Sequence, residues 1–343
     1  MAGNLIFITG ATGFVGFAAL TDALQQGYTA RVSVRQAAQI DKIKEHDFVK
    51  PFVQKGAVQF AVVPDITIPG AFDQALKDVV GVLHIASPTE DPEKDIILPA
   101  IQGTTSILYS ALKHPSIKRI VITSSVVALL DGKAFTVGDD TTIYTPDLRR
   151  TPLPTAPFHP QAAYLDSKAL ALHATDEFIL KNSPHFTIVN VMPGLIVGRS
   201  KIATKSGALM TTTNSVPLSI VLGTESIMGA SGMIAHVVHI DDVARIHVAA
   251  LDTKKVPGNR SFLLQSSDGG KVVFEDALVV AKDKFGDAIE EGLLPLGGTL
   301  GSLPINVDSK ETEEVFGPLK TYKEAVENAL EQFVELKRKE LAM

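Results

Sequence analysis

Six short runs rich in valine and isoleucine recur along this chain: NLIFITG (4–10), TARVSVR (29–35), VQFAVVPD (58–65), GVLHIAS (81–87), RIVITSS (119–125) and FTIVNVMPG (186–194). Most are continuous rather than alternating, as strands buried on both faces of a parallel sheet are. Helical spacing fills the gaps. Phe17, Leu20 and Leu24 mark one apolar stripe, with Gly27 as its stop. Further helices are expected over 37–47, 70–79, 94–113 and 161–181. Strand and helix in repeated alternation predict an α/β fold, a doubly wound parallel sheet with helices on both faces.

Two regions break the rhythm. Residues 130–160 read as a long connection containing Pro146, Pro152, Pro154, Pro157 and Pro160. Beyond Gly194 the alternation weakens and Gly/Ser/Thr-rich stretches appear. Strand-like MIAHVVHI (233–240) and RSFLLQSS (260–267) survive there, with helices near 241–252, 274–285 and 321–341. The expected division is a nucleotide-binding domain over 1–194, rejoined by 233–255. A smaller, less regular substrate lobe is expected over 195–232 and 256–343.

The stretch TGATGFVG (9–16) lies where the first strand gives way to the first helix. Gly10 would permit a tight turn, Gly13 would let a pyrophosphate approach the backbone, and Gly16 would let helix and strand pack closely. The helix start offers N–H groups and a positive dipole end to phosphates. Thr12, Phe14 and Val15 complete the candidate loop, and the sheet is then of the Rossmann type. The G-x-x-G-x-x-G spacing resembles that of the extended and atypical short-chain dehydrogenase/reductases. Their signature T-G-x-x-G-[FY]-[IV]-G is met by Thr9, Gly10, Gly13, Phe14, Val15 and Gly16.

The second strand ends at Arg35, where NAD-preferring sites usually carry an acid. A guanidinium can fork onto a 2′-phosphate, so the expected cofactor is NADP(H). Gln36 and Ala37 follow, where relatives carry a second basic residue. Asp65 and Ile66, Ala86, Ser87 and Pro88, and Thr123 stand at carboxyl ends of strands, where open α/β sheets bind ligands. In similar families an Asp at position 65 reaches the adenine amino group and the next apolar residue packs on the ring. Pro193 and Gly194 make a sharp exit suited to cradling a nicotinamide, and Ile196 joins the same cofactor set.

Tyr164 and Lys168 are four residues apart and share one helix face. Carbonyl reduction needs a hydride at carbon and a proton at oxygen. A phenol of ordinary pKa, about 10, is a poor donor unless an ammonium stabilises its phenolate. Lys168 can do that and can also hold the nicotinamide ribose. A serine hydroxyl at the end of the fifth strand can hydrogen-bond the developing oxyanion. This Ser–Tyr–Lys set resembles the short-chain dehydrogenase/reductase triad. That resemblance selects Ser125 over Ser124, because the second serine is the catalytic one in similar proteins.

VITSSVVAL, HPSIKR, HIASP, PHFTIVNVMPG and VVHIDDVARIHVAAL narrow the resemblance to the dihydroflavonol-reductase-like branch. The chain is especially similar to fungal and yeast NADPH-dependent aldehyde and ketone reductases. The matches span about residues 4–255. The long connection lacks the tryptophan common in relatives. The resemblance implies an NADP-dependent carbonyl reductase, or ketoreductase, acting on a small aldehyde or ketone.

Two alternatives stay open. A nucleotide-sugar epimerase or dehydratase of the same superfamily would usually carry an acidic pair where Val126 and Val127 stand. An NADP-binding regulator without turnover would usually lose the Tyr or the Lys. Val127, Phe158, His159, Leu195, Ile196 and the 205–220 segment are positional candidates for pocket walls.

Composition excludes other classes. A net charge of -6 gives no basic footprint for nucleic acid or membrane. There is no cysteine, hence no disulfide, thiol nucleophile or thiolate metal site. His236, His239, Asp241 and Asp242 do not suggest a metal site, since strand residues three apart face opposite ways. No secretory leader and no membrane-length apolar run is visible, so a cytoplasmic monomer or homodimer is expected.

Overall fold

The computed structural model describes residues 4–87, 95–156, 158–159, 162–224, 232–268 and 272–343. The chain opens with β1 (Leu5–Thr9), α1 (Phe14–Gln25), β2 (Thr29–Val34), α2 (Ala38–Lys44), α3 (Lys50–Gln54), β3 (Val58–Val62) and β4 (Gly81–His84). Then come α4 (Ile97–Ala111), β5 (Arg119–Thr123), a 3-10 turn (Val126–Leu129), α5 (Gly132–Val137), β6 (Asp139–Tyr144), α6 (Ala163–Asn182) and β7 (Thr187–Pro193). β8 (Leu195–Val197), α7 (Ser206–Leu209), α8 (Ser215–Leu222), β9 (Met233–Ile234), β10 (Val237–His239), α9 (Ile240–Ala249) and β11 (Arg260–Leu264) follow. The chain ends with α10 (Asp276–Lys284), α11 (Gly286–Glu290), β12 (Ser302–Leu303), β13 (Ile305–Val307), α12 (Lys310–Phe316) and α13 (Tyr322–Leu341).

Seven strands form one sheet in the order β11-β7-β5-β4-β1-β2-β3. The neighbours from β3 through β7 pair in parallel. At the β7–β11 edge, Asn259 bonds at Ile188 and Ser261 at Asn190, so the partners rise together there too. The order reverses between β1 and β4. That is the switch point at which doubly wound sheets open a crevice for ligand. All six strand-like runs read from the sequence belong to this sheet; the inner strands are apolar because both their faces are covered, while the edge strand β3 is only partly buried.

The described chain divides into two compact units. The first contains residues 1–130, 147–192 and 244–262; the second contains 131–146, 193–243 and 263–343. In the first unit Phe7, Phe72, Val82, Ile107, Ile120, Phe178 and Ile188 make a dry core. Arg119 is almost fully buried at the start of β5, and its guanidinium donates to the carbonyls of Val256 and Gly258. Burial lowers its pKa to about 10. In the second unit, α13 packs Tyr322, Val326 and Leu330 with Leu218, Val221 and Phe274. A Thr321/Glu324 capping box fixes where α13 begins. Among the described residues no helix is long and apolar enough to cross a membrane.

Two expectations are corrected. Residues 70–79 form successive turns rather than a helix; Asp78 has φ 64, which an α-helix does not admit. The stretch read as a bare connection contains α5 and β6, and β6 pairs in parallel with β13.

Candidate active site

The glycine loop is shaped by two close approaches. Gly10 has φ +77, and a Cβ there would lie 2.8 Å from the Ala86 nitrogen. At Gly16 a Cβ would lie 2.2 Å from the Gly10 carbonyl oxygen, so the first turn of α1 sits directly on the loop. Gly13 differs: its exposed Cβ position meets only the Gly10 oxygen, at 3.4 Å. Gly13 is the N-cap of α1, no side chain caps that helix, and its first turn carries no acid. Backbone donors, the positive dipole end and open space therefore meet at Gly13, which fits a dinucleotide pyrophosphate. Thr12, Phe14 and Val15 flank it, each half-buried.

Thr9 Oγ1 ties this loop to the next strand. It accepts from the backbone N–H groups of Ile85 and Ala86, each at 3.0 Å, and contacts His84 Nδ1 at 3.1 Å. His84 is buried; desolvation, and then the charge of Lys168, lower its pKa to about 4. It is neutral at working pH.

At the far end of the crevice, Arg35 follows β2 and is exposed. The Asp65 carboxylate accepts from the Thr67 hydroxyl at 2.6 Å and the Thr67 N–H at 2.8 Å. These bonds, with a smaller contribution from Arg35, hold Asp65 below its ordinary range. Ile66 reaches α4, where a Cβ at Gly103 would come 2.9 Å from its Cδ1.

Lys168 is buried, and its Nζ donates to Ser87 Oγ at 3.0 Å. Burial lowers its pKa to about 8. The same Nζ lies 5.6 Å from the centre of the Tyr164 ring, one helical turn away on α6. A small cavity in this unit is lined by Ile66, Ala86, Ser87, Thr123, Ser124 and Lys168, and also by His84 and Asn190. Ser124 rather than Ser125 lines it. Ser125 starts the 3-10 turn, its Oγ accepting from the Val127 N–H at 3.4 Å. Thr123 Oγ1 meets the buried ring of His247 on α9 at 2.7 Å.

Of the residues expected at the site, Gly10, Gly13, Gly16, Ile66, Ala86, Ser87, Thr123, Tyr164 and Lys168 are linked by these contacts within the first unit. Pro193 closes β7. In the second unit Gly194 is crowded by His236, whose Cδ2 would lie 2.1 Å from a Cβ, and Ile196 is buried in β8. Pro88 lies outside the described residues. His236 is buried and desolvation lowers its pKa to about 4, while His239 contacts Asn328 and accepts the Asp241 N–H. Among the described residues no three acidic or histidine side chains group as metal ligands.

The sequence reading missed His84, His247 and Gln39. Only the position of His84 at a strand end could have signalled it.

Residues 6–264 match the profile described as the NAD dependent epimerase/dehydratase family. The chain belongs to that family. Among curated relatives, the ketoreductase CTB6 of Cercospora nicotianae is 31% identical, over 99% of this chain and 98% of the relative. The aldehyde reductase 2 of Sporidiobolus salmonicolor is 34% identical over 57% of this chain and 58% of its own. The putative NADPH-dependent methylglyoxal reductase GRP2 of Candida albicans is 28% identical over 76% of this chain and 78% of its own. Among solved structures, yeast methylglyoxal/isovaleraldehyde reductase Gre2 complexed with NADPH has a similar fold, with a TM-score of 0.79. It is 23% identical and covers 98% of this chain and 99% of that one.

Proposed function

We propose that this chain is an NADP(H)-dependent carbonyl reductase that converts a small aldehyde or ketone to an alcohol, reversibly. The observation that carries the reading is the buried Lys168 amine, placed between Ser87, just past β4, and the Tyr164 ring. A buried ammonium beside a phenol favours the phenolate and so makes the phenol a better acid. The names of the curated relatives, ketoreductase and aldehyde reductase, support the same chemistry.

The nicotinamide cofactor, when bound, supplies the hydride to the carbonyl carbon. The Tyr164 hydroxyl gives its proton to the carbonyl oxygen. Lys168 stabilises the resulting phenolate until it is reprotonated, and its position beside Ser87 suits it to hold the ribose. Ser125 is assigned the hydrogen bond to the developing oxyanion. Arg35 is assigned the 2′-phosphate, Asp65 and Ile66 the adenine, and Gly10, Gly13 and Gly16 the pyrophosphate turn. Thr12, Phe14, Val15, Ala86, Pro88 and Thr123 are assigned to the cofactor's flank, and Pro193, Gly194 and Ile196 to the nicotinamide.

The test is Tyr164→Phe, assayed with NADPH over aldehydes, aryl ketones and β-keto esters. A fall in turnover on the order of 10²–10⁴ with unchanged NADPH binding is expected. Wild-type turnover in the variant would overturn the mechanism. The family name also admits epimerase or dehydratase chemistry, which regenerates its cofactor. Oxidised cofactor accumulating one-for-one with product excludes that reading for this chain.

A further inference from the structure

Arg35 has a long side chain on an exposed turn, and the next three residues, Gln36, Ala37 and Ala38, are exposed as well. Core packing does not fix the backbone from which the guanidinium projects. One side chain does. Gln39 Oε1 accepts the Arg35 N–H at 2.9 Å and the Gln36 N–H at 3.1 Å. The backbone N–H of Gln39 returns a bond to the Gln36 carbonyl at 3.0 Å. Three hydrogen bonds thus tie residue 39 to residues 35 and 36.

The identity of this acceptor matters. A glutamate could accept the same two N–H groups, but it would set a negative charge on the turn that carries Arg35. That charge would repel a phosphate and partly neutralise the guanidinium. A leucine would fill similar space and release both N–H groups. Glutamine supplies the oxygen without the charge.

We infer that Gln39 is a specificity-determining positioning residue: its neutral carbonyl pins the Arg35 turn so that the site selects nucleotides bearing a 2′-phosphate. This rests on the assignment of Arg35 to that phosphate, and the test separates the two claims.

The experiment titrates the full chain with 2′,5′-ADP and with 5′-AMP by calorimetry, alongside thermal melts. The dissociation constant for 5′-AMP divided by that for 2′,5′-ADP reads 2′-phosphate selection without any catalytic step. In Gln39→Leu the ratio is expected to fall about threefold to tenfold, the size of a lost neutral hydrogen bond. Affinity for 5′-AMP should stay unchanged. Gln39→Glu keeps the acceptor, and so the turn, yet should lower the ratio further by adding charge. Arg35→Ala should collapse it. If Arg35→Ala collapses the ratio while both Gln39 variants keep the wild-type value, the role of Gln39 is refuted and that of Arg35 stands. If Arg35→Ala leaves the ratio intact, both are refuted.

Discussion

The Nζ of Lys168 and the Oγ of Ser87 are 3.0 Å apart, so the buried amine of α6 is held by a hydroxyl three residues past β4. Burial lowers the Lys168 pKa from 10.5 to about 8. Two quantities should therefore respond oppositely to pH. With the role proposed for Lys168, reduction needs the ammonium and should decline as pH rises through about 8. Stability should rise between about 8 and 10.5, because in that window the unfolded chain binds the proton that the folded chain has released. Initial rates and denaturant midpoints across pH 7 to 10.5 check this. Parallel slopes would contradict it. Ser87→Ala removes a bond to the charged form and should move the activity midpoint down by about one unit, worth about 1.4 kcal/mol.

Gly13 and Gly16 should part company under the same substitution. Gly16→Ala drives a Cβ into the Gly10 carbonyl, an overpacking that costs about 1–3 kcal/mol, and both stability and NADPH affinity should fall. Gly13→Ala meets no such obstacle, so its melting temperature should stay near wild type while NADPH binding weakens. Calorimetric melts paired with NADPH titrations read both. A Gly13→Ala protein that binds NADPH normally would remove Gly13 from the pyrophosphate site.

Thr123 and His247 form a contact that a double-mutant cycle can weigh. Thr123→Val and His247→Phe each break it. Their combined destabilisation should fall short of the sum by about 0.5–1.5 kcal/mol. Strict additivity in urea unfolding would mean that the contact contributes nothing.

Arg119 should matter to folding rather than to chemistry. Arg119→Met strands the carbonyls of Val256 and Gly258 and should cost about 1–3 kcal/mol, with kcat unchanged in the folded fraction. Denaturant unfolding beside a steady-state assay checks it.

The inner strands of the central sheet were legible because continuous valine and isoleucine runs leave a strand little choice but double-sided burial. The glycine loop was legible because its spacing is dictated by the Gly10 and Gly16 approaches. β6 was not, since DDTTIY is mostly exposed and its partner, β13, comes far later in the chain. The turns at 70–79 carry enough apolar residues to imitate a helix. Gln39 and His247 eluded the sequence because their partners are set by tertiary geometry; His247 meets Thr123 across 124 positions.

The three-part make-up of the first unit has a consequence for biosynthesis. Its edge strand β11 and the carbonyls that hold Arg119 come after residue 255, beyond the whole of the second unit's 193–243 stretch. A nascent chain halted near residue 194 has made the glycine loop, Tyr164 and Lys168, yet leaves β7 as a bare apolar margin and Arg119 unclamped. Such an edge invites pairing with other chains. During translation the first unit cannot be completed until the ribosome has passed through the second unit's 193–243 stretch, and a fragment cut at 194 should precipitate rather than bind nucleotide.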